Sequence, residues 1–134
     1  MRHHPAAMDR LRTVGLRPTR QRLALARLLF DQGDRHITAE MLHSEVMATG
    51  VRVSLATVYN TLHQFTEVGL LREIVVEAGR SYFDTNTSAH HHFFHESKGT
   101  LTDIPADQIT VAAVPQAPEG TRVKSVDVIV RLED

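Results

Sequence analysis

Cysteine is wholly absent from this 134-residue chain. That excludes disulfides, a zinc site built on thiolates and a cysteine nucleophile, and it fits a reducing compartment. Uninterrupted apolar runs of membrane-spanning length are also missing. Residues 1–8 place Arg2, His3 and His4 where a signal peptide needs a hydrophobic stretch, so the expectation is a cytoplasmic protein with no membrane partner. Aromatic residues amount to 5%, few with which to wall a deep catalytic pocket, and no glycine-rich phosphate loop occurs. The length allows one or two small domains, each short of a large core, which favours association of two chains.

What the chain does have is histidine. Four of its nine histidines, His90, His91, His92 and His95, fall within six residues, preceded by Asp84 and followed by Asp103. Imidazole with carboxylate is the ligand set of borderline first-row metals such as Zn, Fe and Mn, and His36 lies far upstream where only folding can add it. Charge is divided as well. Residues 1–82 hold 11 arginines against 8 carboxylates, net +3, and residues 83–134 hold 4 basic against 8 acidic side chains, net −4. A basic front half with an acidic back half suits a nucleic-acid reader joined to a cation-binding module.

Local patterns supply the scaffold. Pro18-Thr19 opens a helix in which Leu25, Leu28 and Leu29 share a face, and Thr38 caps a second helix bearing Leu42 and Val46 and ending near Gly50. Ser54 caps the most regular helix, with Leu55, Val58, Leu62, Phe65 and Val68 at three- and four-residue intervals and Gly69 as its stop. The other side of that helix presents Thr57, Tyr59, Asn60, His63 and Gln64 without any acid, a surface suited to a major groove. Residues 70–76 and 80–83, about a turn at Ala78-Gly79, read as a hairpin. Helix, helix, helix, hairpin is the order of a winged helix-turn-helix, although small helical domains also use such faces for protein contacts.

Further on, Pro115 and Pro118 interrupt any long helix between residues 106 and 120, leaving a short strand and a turn. Val126, Val128, Val130 and Leu132 then alternate with Asp127, Ile129, Arg131 and Glu133, which predicts a strand joining residues 92–95 and 100–104 in a small sheet. Too little sequence remains to cover that sheet, so an identical chain is its expected partner. The expected fold is α+β: a winged helix-turn-helix DNA-binding domain over 1–83, then a small α/β dimerisation and metal-binding domain over 84–134.

Three segments carry a family resemblance. Gly15-Leu16-Arg17-Pro18-Thr19-Arg20-Gln21-Arg22, Ala56-Thr57-Val58-Tyr59-Asn60-Thr61-Leu62 and the stretch from Phe83-Asp84 to His92 resemble, in order and over nearly the whole chain, the ferric uptake regulator family. Residues 54–73 with the triple histidine look most like its iron response regulator (Irr) branch of alphaproteobacteria. The resemblance implies an iron-responsive transcription regulator, not an enzyme, that binds double-stranded operator DNA as a homodimer under control of a divalent metal, Mn, Fe or Zn. It implies His36, Asp84, His90, His92 and Asp103 as the regulatory ligands, with a bound metal fixing the angle between reader and dimer module. For DNA it implies Tyr59 against thymine methyls, Ser54 and Thr57 towards phosphates, and Arg17 in an adjacent minor groove. Asn60 stands where other relatives carry arginine, and an amide reads adenine instead. Haem is implied as a second ligand through His90, His91 and His92, with strand alternation turning His91 away from the other two.

The departures matter too. A four-thiolate zinc site and the Cys-Pro haem element of some relatives are impossible here, and His95 and Lys98 occupy the places of a common zinc-binding cysteine pair. No histidine follows His95, so the family's additional metal site is incomplete. Phe93 and Phe94 either face a haem macrocycle or, as is favoured, belong to a core or dimer contact. Two other classes stay open: a mononuclear His/Asp metalloenzyme, and a haem- or metal-binding protein without DNA function. The face from Thr57 to Gln64 and the basic first half argue against the last.

Overall fold

The computed structural model describes residues 6–77 and 79–134, so residues 1–5 and the expected turn residue Ala78 lie outside the described residues. The chain is α+β and divides into two units, Met1–Thr87 and Ser88–Asp134.

The first unit opens with a helix that has no sequence signal, α1 (Ala7–Thr13), which lacks a side-chain cap but buries Ala7 and Leu11. Then follow α2 (Arg20–Phe30), α3 (Ala39–Ala48) and α4 (Leu55–Glu67). Each begins where a hydroxyl accepts an otherwise unpaired first-turn N–H: Thr19 from Arg22, Thr38 from Met41 and Ser54 from Thr57. Gly50 and Gly69, at φ 86° and 83°, end α3 and α4 in the left-handed region that a Cβ disfavours. The predicted stripes are the core: Leu25, Leu29, Leu42, Val46, Val58, Leu62 and Phe65 are fully buried, and Phe30 meets Phe65 with ring centroids 6.1 Å apart. Leu28 is half-buried and Leu55, at the first position of α4, is exposed. Each fully buried side chain of this size contributes roughly 1.5–3 kcal/mol, so this cluster holds the unit together.

The hairpin is β2 (Arg72–Glu77) and β3 (Arg80–Asp84). Leu70 and Leu71, expected in its first strand, instead join the helical core. A two-residue strand, β1 (His36–Ile37), pairs with the other side of β3, giving the order β1-β3-β2 with His36 opposite Asp84. Arg35 clamps this corner. Its N–H donates to Thr85 Oγ1 at 2.8 Å, its carbonyl accepts from Thr85 N–H at 3.1 Å, and its guanidinium forks onto Glu45 at 2.9 and 2.7 Å. The result is a winged helix-turn-helix extended by α1 in front and β1 beside the wing.

In the second unit, β4 (His91–His95) lies between β5 (Thr100–Ile104), antiparallel, and β6 (Ile129–Leu132), parallel. A single 3-10 turn, Ala106–Gln108, follows β5, and among the described residues no helix or strand occurs from there to β6. The short strand expected in that stretch does not form. β6 is also half the predicted length, because its ladder pairs His92–His95 with Ile129–Leu132 and Val126 precedes it.

Candidate functional site

The first unit contributes a carboxylate–imidazole pair at the base of the wing. Direct pairing of β1 with β3 sets His36 across from Asp84, and His36 Nε2 lies 3.0 Å from Asp84 Oδ2. Asp84 is 1% exposed, and its other oxygen accepts the Asn86 N–H at 2.8 Å. A carboxylate buried this deeply needs such partners, because burying an uncompensated charge costs several kcal/mol.

The second unit contributes three convergent groups. The β4–β5 register puts His92 opposite Asp103, and Asp103 Oδ1 lies 3.3 Å from His92 Nε2 and 3.1 Å from His90 Nε2. The two imidazoles stand edge to face with centroids 4.5 Å apart, both buried, whereas Asp103 is partly exposed. His90 Nδ1 is 2.6 Å from the Ser88 carbonyl, which only accepts, so Nδ1 carries a proton and Nε2, which faces Asp103, is the nitrogen that would meet a metal. These nitrogen and carboxylate donors, without sulfur, fit Mn, Fe or Zn.

His91 faces away from His92, as alternation predicts, and is half-buried. Its Nδ1 accepts the backbone N–H of Val128 at 3.1 Å. A neutral His91 therefore holds its proton on Nε2 and presents no free lone pair. Phe94 is buried and Phe93 is 36% exposed, so the pair divides between core and surface. His95 Nε2 contacts Asp134 Oδ1 at 3.0 Å.

The expected DNA face lies on the first unit. Thr57 is half-buried at the start of α4, and Tyr59, Asn60 and the side chain of Arg17 are exposed. Ser54 serves as the helix cap and bonds Thr57 Oγ1 at 2.9 Å. Between the start of α2 and α4 lies an open concavity of about 500 Å³, with Gln21 and Arg22 on one wall and Asn60 and Gln64 on the other. Arg22, which sequence reasoning did not single out, is held there by a 3.1 Å bond from its guanidinium to the Arg17 carbonyl. Glu40 was missed as well. The face read as free of acids receives this one from α3, and Tyr59 Oη donates to Glu40 Oε1 at 2.6 Å. That bond holds the Glu40 carboxyl below its usual range and pushes the Tyr59 phenol above its own. The two residues are nineteen apart, and no local pattern in the sequence connects them.

Residues 13–131 match the model of the ferric uptake regulator family. The peroxide-responsive repressor PerR of Staphylococcus aureus (strain Mu50 / ATCC 700699) is 33% identical over 99 residues, covering 74% of this chain and 66% of that relative, so the chain spans just under two thirds of its length. Among solved structures, the ferric uptake regulator from Pseudomonas aeruginosa with manganese superposes with a TM-score of 0.72 at 23% identity, covering 97% of this chain and 98% of that one. A zinc-bound manganese uptake regulator superposes at 0.68 and 22% identity, covering 97% and 99%.

Proposed function

The chain belongs to the ferric uptake regulator family, and on that premise we propose that it is a metal-dependent transcription regulator that binds double-stranded operator DNA as a homodimer. The observation that carries the reading is a divided ligand set: His36 with Asp84 in the unit bearing the winged helix, and His90 and His92 converging on Asp103 in the other. Neither part offers more than three donors. We assign all five to one regulatory divalent ion. When bound, that ion supplies two positive charges to three imidazoles and two carboxylates. Asp84 and Asp103 are then neutralised, His90 binds through Nε2, the nitrogen that faces Asp103, and the residues that hold the ion belong to both units, so occupancy couples them.

In this reading Tyr59 and Asn60 meet base edges, Thr57 and Ser54 approach phosphate, and Arg17 enters the minor groove. Of the two hydroxyls, Thr57 is the better phosphate donor, because Ser54 is engaged in its cap. The Irr assignment rests on residues 54–73 and the triple histidine, and haem is its distinguishing ligand. Since His91 Nδ1 takes the Val128 N–H, haem at this run uses His90 or His92 and competes with divalent metal. A peroxide response is the second reading, favoured by the name of the relative at 33% identity.

The test is DNA binding by the metal-free protein, followed by fluorescence anisotropy after separate addition of Mn, Fe, Zn and haem, with peroxide added to the Fe form. Tight binding that requires Mn, Fe or Zn and is released by haem supports the Irr reading; release by peroxide alone supports the second. Binding that is equally tight with chelator present contradicts metal control.

A further inference from the structure

Glu40 is an exposed carboxylate on a face assigned to DNA, where a polyanion repels it. Its place needs a reason, and the geometry supplies one. The bond from Tyr59 Oη to Glu40 Oε1, at 2.6 Å, has the length of a charge-assisted hydrogen bond. A phenol carries one hydrogen. Given to Glu40, that hydrogen is unavailable to a phosphate or a base edge, and what Tyr59 presents outward is its ring.

The ring is also held along its length. His63 lies nearly parallel to it at a centroid distance of 6.4 Å and 19°, and His63 in turn meets the buried Phe83 edge-on at 5.6 Å and 79°. Tyr59 is therefore fixed at its tip by α3 and supported at its side by a stack ending in the wing. Among the described residues, Glu40 is the group that anchors the tip, and the hydrogen that the phenol donates points at its carboxylate.

We propose that Glu40 is a positioning residue for base recognition: by accepting the phenol's one hydrogen bond it makes Tyr59 a rigid apolar reader of a methyl group, such as that of thymine, and not a hydrogen-bond donor to DNA. The inference rests on the reading that Tyr59 faces DNA. Glu40 touches no base; it acts through the orientation of the ring.

The experiment uses the full chain with Mn and the duplex that the wild type enriches from a randomised pool, with each thymine replaced in turn by deoxyuridine to remove its methyl group. At the position read by Tyr59, the wild type prefers thymine. Glu40→Ala, Tyr59→Phe and the double variant lower that preference by the same factor, roughly fivefold for a base contact, with no further loss in the double variant because both groups act in one bond. Glu40→Gln, which keeps an acceptor oxygen, retains most of the preference; loss of the Glu40 charge tightens binding to every duplex alike, so the ratio between thymine and deoxyuridine is the quantity compared. If Tyr59→Phe weakens binding to every duplex alike while Glu40→Ala keeps the thymine preference, the phenol donates to DNA and the proposal is overturned. Should Tyr59→Ala leave the affinity for every duplex unchanged, Tyr59 is outside the interface and the reading beneath the proposal fails with it. Thermal unfolding of each variant checks that the exposed substitutions leave the fold intact.

Discussion

The two units bury different mixtures of side chain. In the first, a continuous apolar cluster runs from Leu11 through Leu62 to Phe83. In the second, among the described residues, the buried apolar side chains are Phe94 and Ile104, and as many imidazoles, His90 and His92, are buried. Apolar burial supplies most of what holds the reader together. The second unit instead has an interior whose polar nitrogens must be satisfied, which makes a poor core and a good ligand set. On the proposed reading its stability depends on metal and on a second copy of the chain more than that of the reader does.

The most severe way to break this contrast is Phe65→Ala, which removes a fully buried ring from the reader. It should cost about 3–5 kcal/mol in urea unfolding of the first unit, with or without metal. A loss that Mn fully restores would erase the distinction. Next in size is the effect of metal on the second unit: Mn at about 100 times its dissociation constant should stabilise the bound state by about 2.7 kcal/mol, read as slowed amide exchange in residues 90–104. His92→Ala should abolish that protection, and protection that persists in the variant, or in chelator, counts against the assignment.

On the reader, Tyr59→Ala should weaken specific DNA binding by about 1–3 kcal/mol with an unchanged unfolding midpoint, and Arg17→Ala should weaken all sequences alike and reduce the salt slope by about 1. Equal behaviour of the two variants across sequences would remove the division between base reading and minor-groove charge. The smallest effect belongs to a helix start. Thr38→Ala deletes the α3 cap and should lower the stability of the first unit by about 1 kcal/mol, measured by thermal unfolding.

These contrasts were partly legible in the sequence. Thr19, Thr38 and Ser54 announced their helices because capping chemistry and a 3.6-residue period are local. α1 was silent: its N-cap is Ala6, without a side-chain bond, and it is only seven residues long. β1 owes its existence to β3, a partner far along the chain, and so does the approach of His36 to Asp84. The terminal strand was overextended for the same reason, since alternation shows which residues can share a face but the neighbouring strand decides how many of them pair. That imidazoles and carboxylates gather here was readable from the histidine run. The tautomers were not, because the Ser88 carbonyl behind His90 and the Val128 N–H on His91 are backbone groups that pattern does not reveal.

The ligands of the two units are proposed to serve one ion. Calorimetric titration of Mn into the metal-free full chain, compared with His36→Ala and His92→Ala, tests it most directly. One regulatory ion per chain is expected in the wild type, with both substitutions weakening that same site although they lie in different units. A His36→Ala chain that binds Mn with the affinity and stoichiometry of the wild type would contradict it.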